Sequence, residues 1–179
     1  MAERRDVIKN KKAILQGYID MTSKKIIDKI TVSDVIKQAN VSRATFYAHY
    51  KDINALKEQF ETDFMQMMMH LNEESISKLF QQPNQSVYNI FCTFDKNKKM
   101  IRALSGNGSS ESFFLMFKEA LKEEIQKIMN RKDKKGESIV AFTIASILTD
   151  NCRDIVLTKT KVVSLEERAT IISKFIPKK

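Results

Sequence analysis

The chain has 179 residues, 42% hydrophobic and 30% charged, which excludes a disordered tail and suits one compact domain or a small module fused to a larger one. Four Gly, two Pro and no Trp are too little punctuation for many short strands, so an all-β architecture is excluded and long helices on short connections are expected. Lys and Arg outnumber Asp and Glu by 31 to 22, a net charge of +9 that attracts polyanions, and the first third of the chain holds more than half of that excess.

Residues 7–24 read as a helix, with Ile8, Ile14, Leu15, Tyr18 and Met21 at helical spacings. Gly17 inside it is unfavourable by about 1 kcal/mol against Ala, so another helix is expected to come close there. Thr31-Val-Ser-Asp34 has the form of a capping box and opens a short helix over 32–39, with Val35, Ile36 and Ala39 inward. Asn40 suits a left-handed helix end and Ser42 an N-cap, which makes 42–49 a third helix. Asp52 caps a long fourth, striped by Leu56, Phe60, Phe64, Met67, Met68 and Leu71 to about residue 80; Pro83 ends it.

The remainder is helical too. Residues 85–104 carry Val87, Ile90, Phe91, Phe94 and Ile101, with a bend expected between Asp95 and Lys99. Ser105–Ser110 is a loop, 113–129 a helix, Arg131–Gly136 a charged turn, 139–157 a helix apolar on more than one side, and Ser164-Leu-Glu-Glu167 a second capping box opening a helix to 176. The expectation is an all-α chain of about nine helices. The apolar stretch 139–148 is half a membrane span, so no membrane partner is expected. Arg4-Arg5 precedes no apolar run, so no secretory signal is read and a cytoplasmic protein is expected. Cys92 and Cys152 form no Cys-x-x-Cys pair and read as reduced thiols.

Ile30–Lys51 reads ITVSDVIKQANVSRATFYAHYK: two short helices on a three- to four-residue turn, a helix-turn-helix. Such a pair binds DNA when the second helix shows short polar side chains to the major groove. Ser42, Arg43, Ala44, Thr45 and Tyr47 meet that need, with Phe46 and Tyr50 on the opposite face as anchors. Arg43 is the candidate for direct readout, since its fork matches guanine O6 and N7. Ala44 and Thr45 suit a thymine methyl. Tyr47, His49 and Lys51 suit phosphates, as do Thr31 and Ser33 at the start of the first helix. Lys9, Lys11, Lys12, Arg4 and Arg5 could reach the flanking backbone. No catalytic constellation competes: His49 and His70 lack metal-ligand spacing, and no nucleophile elbow, P-loop or dinucleotide fingerprint is present. No cofactor, metal or enzymatic activity is expected.

Residues 9–56 resemble the DNA-binding domain of the TetR/AcrR family of bacterial transcriptional regulators. The resemblance is carried by Ile30-Thr-Val-Ser-Asp-Val-Ile, Ala39-Asn-Val-Ser, Thr45-Phe-Tyr-Ala-His-Tyr-Lys-Asp and Leu56. It implies a recognition helix at 42–49, phosphate contacts from Tyr47 and Lys51, and DNA binding as a homodimer. Asn40 stands where that family usually has Gly, and Gly17 where it usually has Ala. The division expected is a DNA-binding domain over 1–55 and an effector-binding and dimerisation domain over 56–179. The resemblance implies a dimer interface through the last two helices and a small-molecule pocket, here among Phe64, Met68, Phe91, Phe94, Phe114 and Phe117. The function expected is a ligand-responsive repressor on a palindromic operator. The alternative is an activator or co-regulator whose C-terminal helices bind another protein.

Overall fold

Short polar side chains set where several helices of this protein begin. The computed structural model describes residues 2–22, 24–26, 29–104, 110–129, 134–158 and 163–178. Among them are eight α-helices and no strand: α1 Ala2–Thr22, α2 Val32–Ala39, α3 Arg43–His49, α4 Ile53–Ser77, α5 Pro83–Leu104, α6 Ser110–Met129, α7 Lys134–Leu157 and α8 Leu165–Ile172, followed by a 3₁₀ turn at Ser173–Phe175. Both expected capping boxes form. Thr31 Oγ1 accepts the Asp34 amide at 3.2 Å while Asp34 accepts the Thr31 amide at 2.9 Å; Ser164 and Glu167 repeat the exchange at 3.1 Å each way. A side chain of this kind satisfies amide groups that the first helical turn leaves without partners, worth about 1 kcal/mol. Asp52 caps α4 by accepting the Ala55 amide at 2.8 Å.

The count is eight because α5 runs unbroken through 95–99, where a bend was expected. Val87, Ile90, Phe91, Phe94 and Ile101 are all fully buried at helical spacing, so one continuous stripe carries the helix through the charged stretch without a break. On its flank, Lys98 pairs with Asp95 at 2.8 Å and Asn97 Nδ2 donates to the Thr93 carbonyl at 2.8 Å. Other limits shift as well. α1 begins at Ala2 and ends at Thr22, α4 ends at Ser77, and Lys134 to Gly136, expected in a turn, already belong to α7. Of the expected loop at 105–110 and turn at 131–136, residues 105–109 and 131–133 lie outside the described residues.

The chain divides into two compact units, residues 1–64 with 103–110 and residues 65–102 with 111–179. In the first, α1 packs on α2 and α3 packs on both, around Ile14, Tyr18, Val35, Phe46, Leu56 and Phe60. The Tyr18 ring stands edge-on to Phe60 at 5.7 Å, and Phe64 lies 6.0 Å from Phe60. Ile8, expected inward, is exposed, as are Met67 and Leu71 on α4. The buried stripe of α4 advances strictly by four through Leu56, Phe60, Phe64, Met68, Asn72 and Ile76, and Met67 and Leu71 fall a hundred degrees behind it.

The second unit is filled by aromatic rings. Phe94 of α5 meets Phe117 of α6 edge-on at 4.8 Å and stacks on Phe114 at 6.4 Å. Leu148, Cys152 and Val156 of α7 are fully buried. The Arg153 guanidinium lies 5.5 Å over the Phe114 ring, and the Arg102 guanidinium of α5 donates to the Val156 carbonyl at the end of α7. Cys92 and Cys152 are free thiols; burial pushes the Cys152 thiol up well above its ordinary pKa. Among the described residues no helix is long and apolar enough to cross a membrane.

Gly17 has a steric reason. A Cβ built there would stand 2.8 Å from the Ala39 Cβ, 3.0 Å from its amide nitrogen and 3.1 Å from its Cα. These neighbours are backbone or bound to it, so α2 itself would have to move. Gly17→Ala gains about 1 kcal/mol of helix propensity but meets an overpacking cost of about 1–3 kcal/mol, and a net lowering of the melting temperature is expected. The loss should be smaller when measured in an Ala39→Gly background. A Gly17→Ala protein that melts higher than the parent would show that α1 and α2 are less tightly apposed.

Candidate nucleic-acid interface

The turn between α2 and α3 requires a left-handed residue, and Asn40 supplies it with φ 52° and ψ 47°, the one positive φ of a non-glycine residue among the described residues. Its amide donates to the Ile36 carbonyl, as does the Val41 amide at 3.2 Å, so the Ile36 carbonyl in the last turn of α2 is satisfied. Asn is among the few residues other than Gly that adopt this conformation at small cost. Ser42 then caps α3, its Oγ accepting the Thr45 amide at 2.9 Å and lying 2.8 Å from Thr45 Oγ1. α3 ends where Tyr50 turns extended at φ −137°.

Seven residues cannot hold a helix alone; α3 is held by its inner face. Phe46 is completely buried and Tyr50 nearly so, their ring centroids 5.9 Å apart. The face away from them is open: Ala44, Tyr47 and Ala48 are exposed, Tyr47 to 49%, with its ring edge-on to Phe46 at 5.5 Å, and Arg43 is exposed at the first position of the helix. Thr45 and His49 are half-buried at the sides, and Ser42 and Lys51 are exposed at the two ends. Together these side chains form the outward ridge of α3.

The first turn of α2 lies against this ridge. Thr31 and Ser33 are both exposed. Arg43 Nη2 donates to Ser33 Oγ at 3.1 Å. Thr31 Oγ1 donates to Asp34 at 2.7 Å, so its proton is already engaged. Lys25 pairs with the same carboxylate at 2.6 Å. This Lys25 bond, followed by those from the Thr31 hydroxyl and amide, holds the Asp34 carboxyl down at about 2. Behind α2, Gln38 bridges α1, accepting from Lys24 at 2.8 Å and donating to Asp20 at 3.2 Å. Sequence reasoning placed the outer face but not these partners. Lys24 and Lys25 lie in the connection between α1 and α2 and reach Gln38 and Asp34 of α2 across many residues of chain, and no local pattern announces them. Lys9, Lys11 and Lys12 are exposed on α1, while the side chains of Arg4 and Arg5 lie outside the described residues. The six residues expected around a pocket are all buried: Phe64 in the first unit, and Met68, Phe91, Phe94, Phe114 and Phe117 in the second. A groove of about 380 Å³ lies elsewhere, lined by residues that include Met69, His70, Glu73, Ile76, Glu124 and Ile128. Among the described residues no group of three or more His, Cys, Asp or Glu is placed to hold a metal ion.

No family model matches the chain. Over 43 residues it is 42% identical to the uncharacterized HTH-type transcriptional regulator YvdT of Bacillus subtilis (strain 168), a match covering 24% of this chain and 22% of that one. The chain thus spans about a fifth of the length of the curated relative it matches. Among solved structures it is similar to a TetR transcriptional regulator from Streptococcus agalactiae 2603V, with a TM-score of 0.70, 23% identity and 99% of each chain covered. It is also similar to the dihydroxyacetone kinase operon activator DhaS, with a TM-score of 0.66, 16% identity and 93% of each chain covered.

The Asp34 carboxylate gives the interface an acid limit. Its pKa falls from 3.8 to about 2 on folding. A depressed folded pKa means that the ionised form stabilises the fold above the unfolded value, and that this contribution is lost as pH falls from 3.8 through about 2. Asp34→Asn keeps a capping oxygen without the charge. Thermal unfolding followed across that window should show the parent losing stability more steeply than Asp34→Asn; parallel curves would remove the role of the Lys25 pair.

Proposed function

We propose that this chain, which has the TetR-family transcriptional-regulator fold, is a DNA-binding repressor that acts in the cytoplasm as a homodimer on a palindromic operator. The observation that carries the reading is α3: its aromatic anchors are buried and its Arg43, Ala44 and Tyr47 face outward. Arg43 is the base reader, Ala44 and Thr45 meet thymine methyl groups, and Tyr47, His49 and Lys51 hold phosphates together with Ser33 and the start of α2. Thr31, whose proton goes to Asp34, retains acceptor capacity only and serves the cap.

A dimer is supported by apolar side chains left in water on the last two helices and the turn after them: Ile139, Phe142 and Leu157 on α7, Ile171 on α8, and Phe175 after it. Large apolar groups placed this way favour burial against a second copy. Two α3 helices then address major-groove faces about 34–36 Å apart. An effector bound among Met68, Phe91, Phe94, Phe114 and Phe117 of the second unit would favour a dimer of different spacing and so release the operator.

The second reading is an activator, favoured by the similarity to DhaS, whose name makes it the activator of an operon. Deleting the gene separates the two: target transcripts rise for a repressor and fall for an activator.

Binding to duplex DNA measured against salt tests the core of the proposal. With Lys51 and further contacts from each of two protomers, log K should fall against log[salt] with a slope steeper than about −4. Lys51→Ala should weaken binding to all sequences alike and make the slope shallower by about 2, one contact per protomer. A flat plot would remove the DNA function; a change of only about 1 would remove the dimer.

A further inference from the structure

Arg43 opens α3 and Ser33 sits in the first turn of α2. Ten residues apart, they meet across the turn, Arg43 Nη2 donating to Ser33 Oγ at 3.1 Å. Both are exposed, and a single hydrogen bond between solvated groups adds little to fold stability. The nearest acid on α2, Asp34, is already occupied by Lys25 at 2.6 Å and by Thr31 at 2.7 Å, so it does not draw the guanidinium away from the hydroxyl. Ser33 has one proton and two lone pairs. Accepting from Arg43 consumes a lone pair and leaves the proton free to be donated outward. What the bond changes is conformational freedom. An arginine ordered only on contact with DNA loses affinity by about two- to tenfold relative to one already held.

We propose that Ser33 is the positioning residue for Arg43: it holds the guanidinium between the first turns of α2 and α3, so that Arg43 meets one defined base position, while the serine's own proton goes to a backbone phosphate. This rests on the DNA-binding reading above and deepens it, because it ties the phosphate that sets register to the side chain that reads sequence. A serine exposed on the outer helix is then a determinant of specificity without touching a base.

Selection of bound duplexes from a random pool tests this. The parent protein is expected to show a base position whose preference, about tenfold or more, is erased by Arg43→Ala. Ser33→Ala should lower the preference at that same position by about two- to tenfold while leaving the other positions and the melting temperature unchanged. Ser33→Thr keeps the hydroxyl and should keep the preference. Ser33→Ala added to Arg43→Ala should change that position no further. A uniform loss of affinity in Ser33→Ala, with base preference intact, would overturn the proposal and leave Ser33 a phosphate contact alone. So would selected sites that owe nothing to Arg43. A parent protein that enriches no sequence overturns the DNA reading beneath it, so the two failures are distinct.

Discussion

The burial of one aromatic ring decides what this molecule can present. α3 has seven residues, too few to be helical in water by themselves, and its orientation comes from the completely buried Phe46 with Tyr50 beside it. Removing a buried phenyl ring costs about 3–5 kcal/mol, a large share of the stability of a small domain. The hydroxyl cap at Ser42 and the left-handed Asn40 each contribute less. They determine where the helix starts and how the chain enters it. The ring determines which side faces out. Because Phe46 and Tyr50 are four apart, Ala44, Tyr47 and Ala48 are turned away from them and exposed by the same contact that stabilises the unit, while Arg43 is exposed as the first residue of the helix.

That contact depends on a second one. α2 must lie close enough to α1 to complete the wall against which α3 packs, and Gly17 permits it by omitting a Cβ where Ala39 stands. The Gln38 bridge to Lys24 and Asp20 and the Lys25–Asp34 pair act at the edge of the same junction. Exposed ion pairs of this sort contribute modestly, but they join different elements, so they fix relative position rather than helix content.

Local rules made much of this legible beforehand. Both capping boxes, the Asn40 turn, the Ser42 cap and the inward anchors follow from side-chain chemistry within four residues, and all of them form. The close approach at Gly17 could be anticipated because an unfavourable residue in a helix calls for a reason; that the partner is Ala39 could not. At α5 the charged run after Asp95 does not divide the helix, because Phe94 and Ile101 keep one buried line. On α4, Met67 and Leu71 are as apolar as their buried neighbours, and only the burial of Met68, Asn72 and Ile76 shows which line faces inward. The Arg43–Ser33 bond joins two helices through a turn whose geometry must be known first. In the second unit, aromatic residues at helical spacing announce burial. Whether rings fill a space or surround one is a matter of packing, which spacing does not carry.

The account stands or falls on the outer face of α3. Backbone amide resonances of isotopically labelled protein, followed as duplex DNA is added at low salt, address that face residue by residue. The largest shifts should fall at 31–33 and 42–51, with the amides of the second unit little changed. Binding that leaves 42–51 unshifted and moves another surface would contradict it.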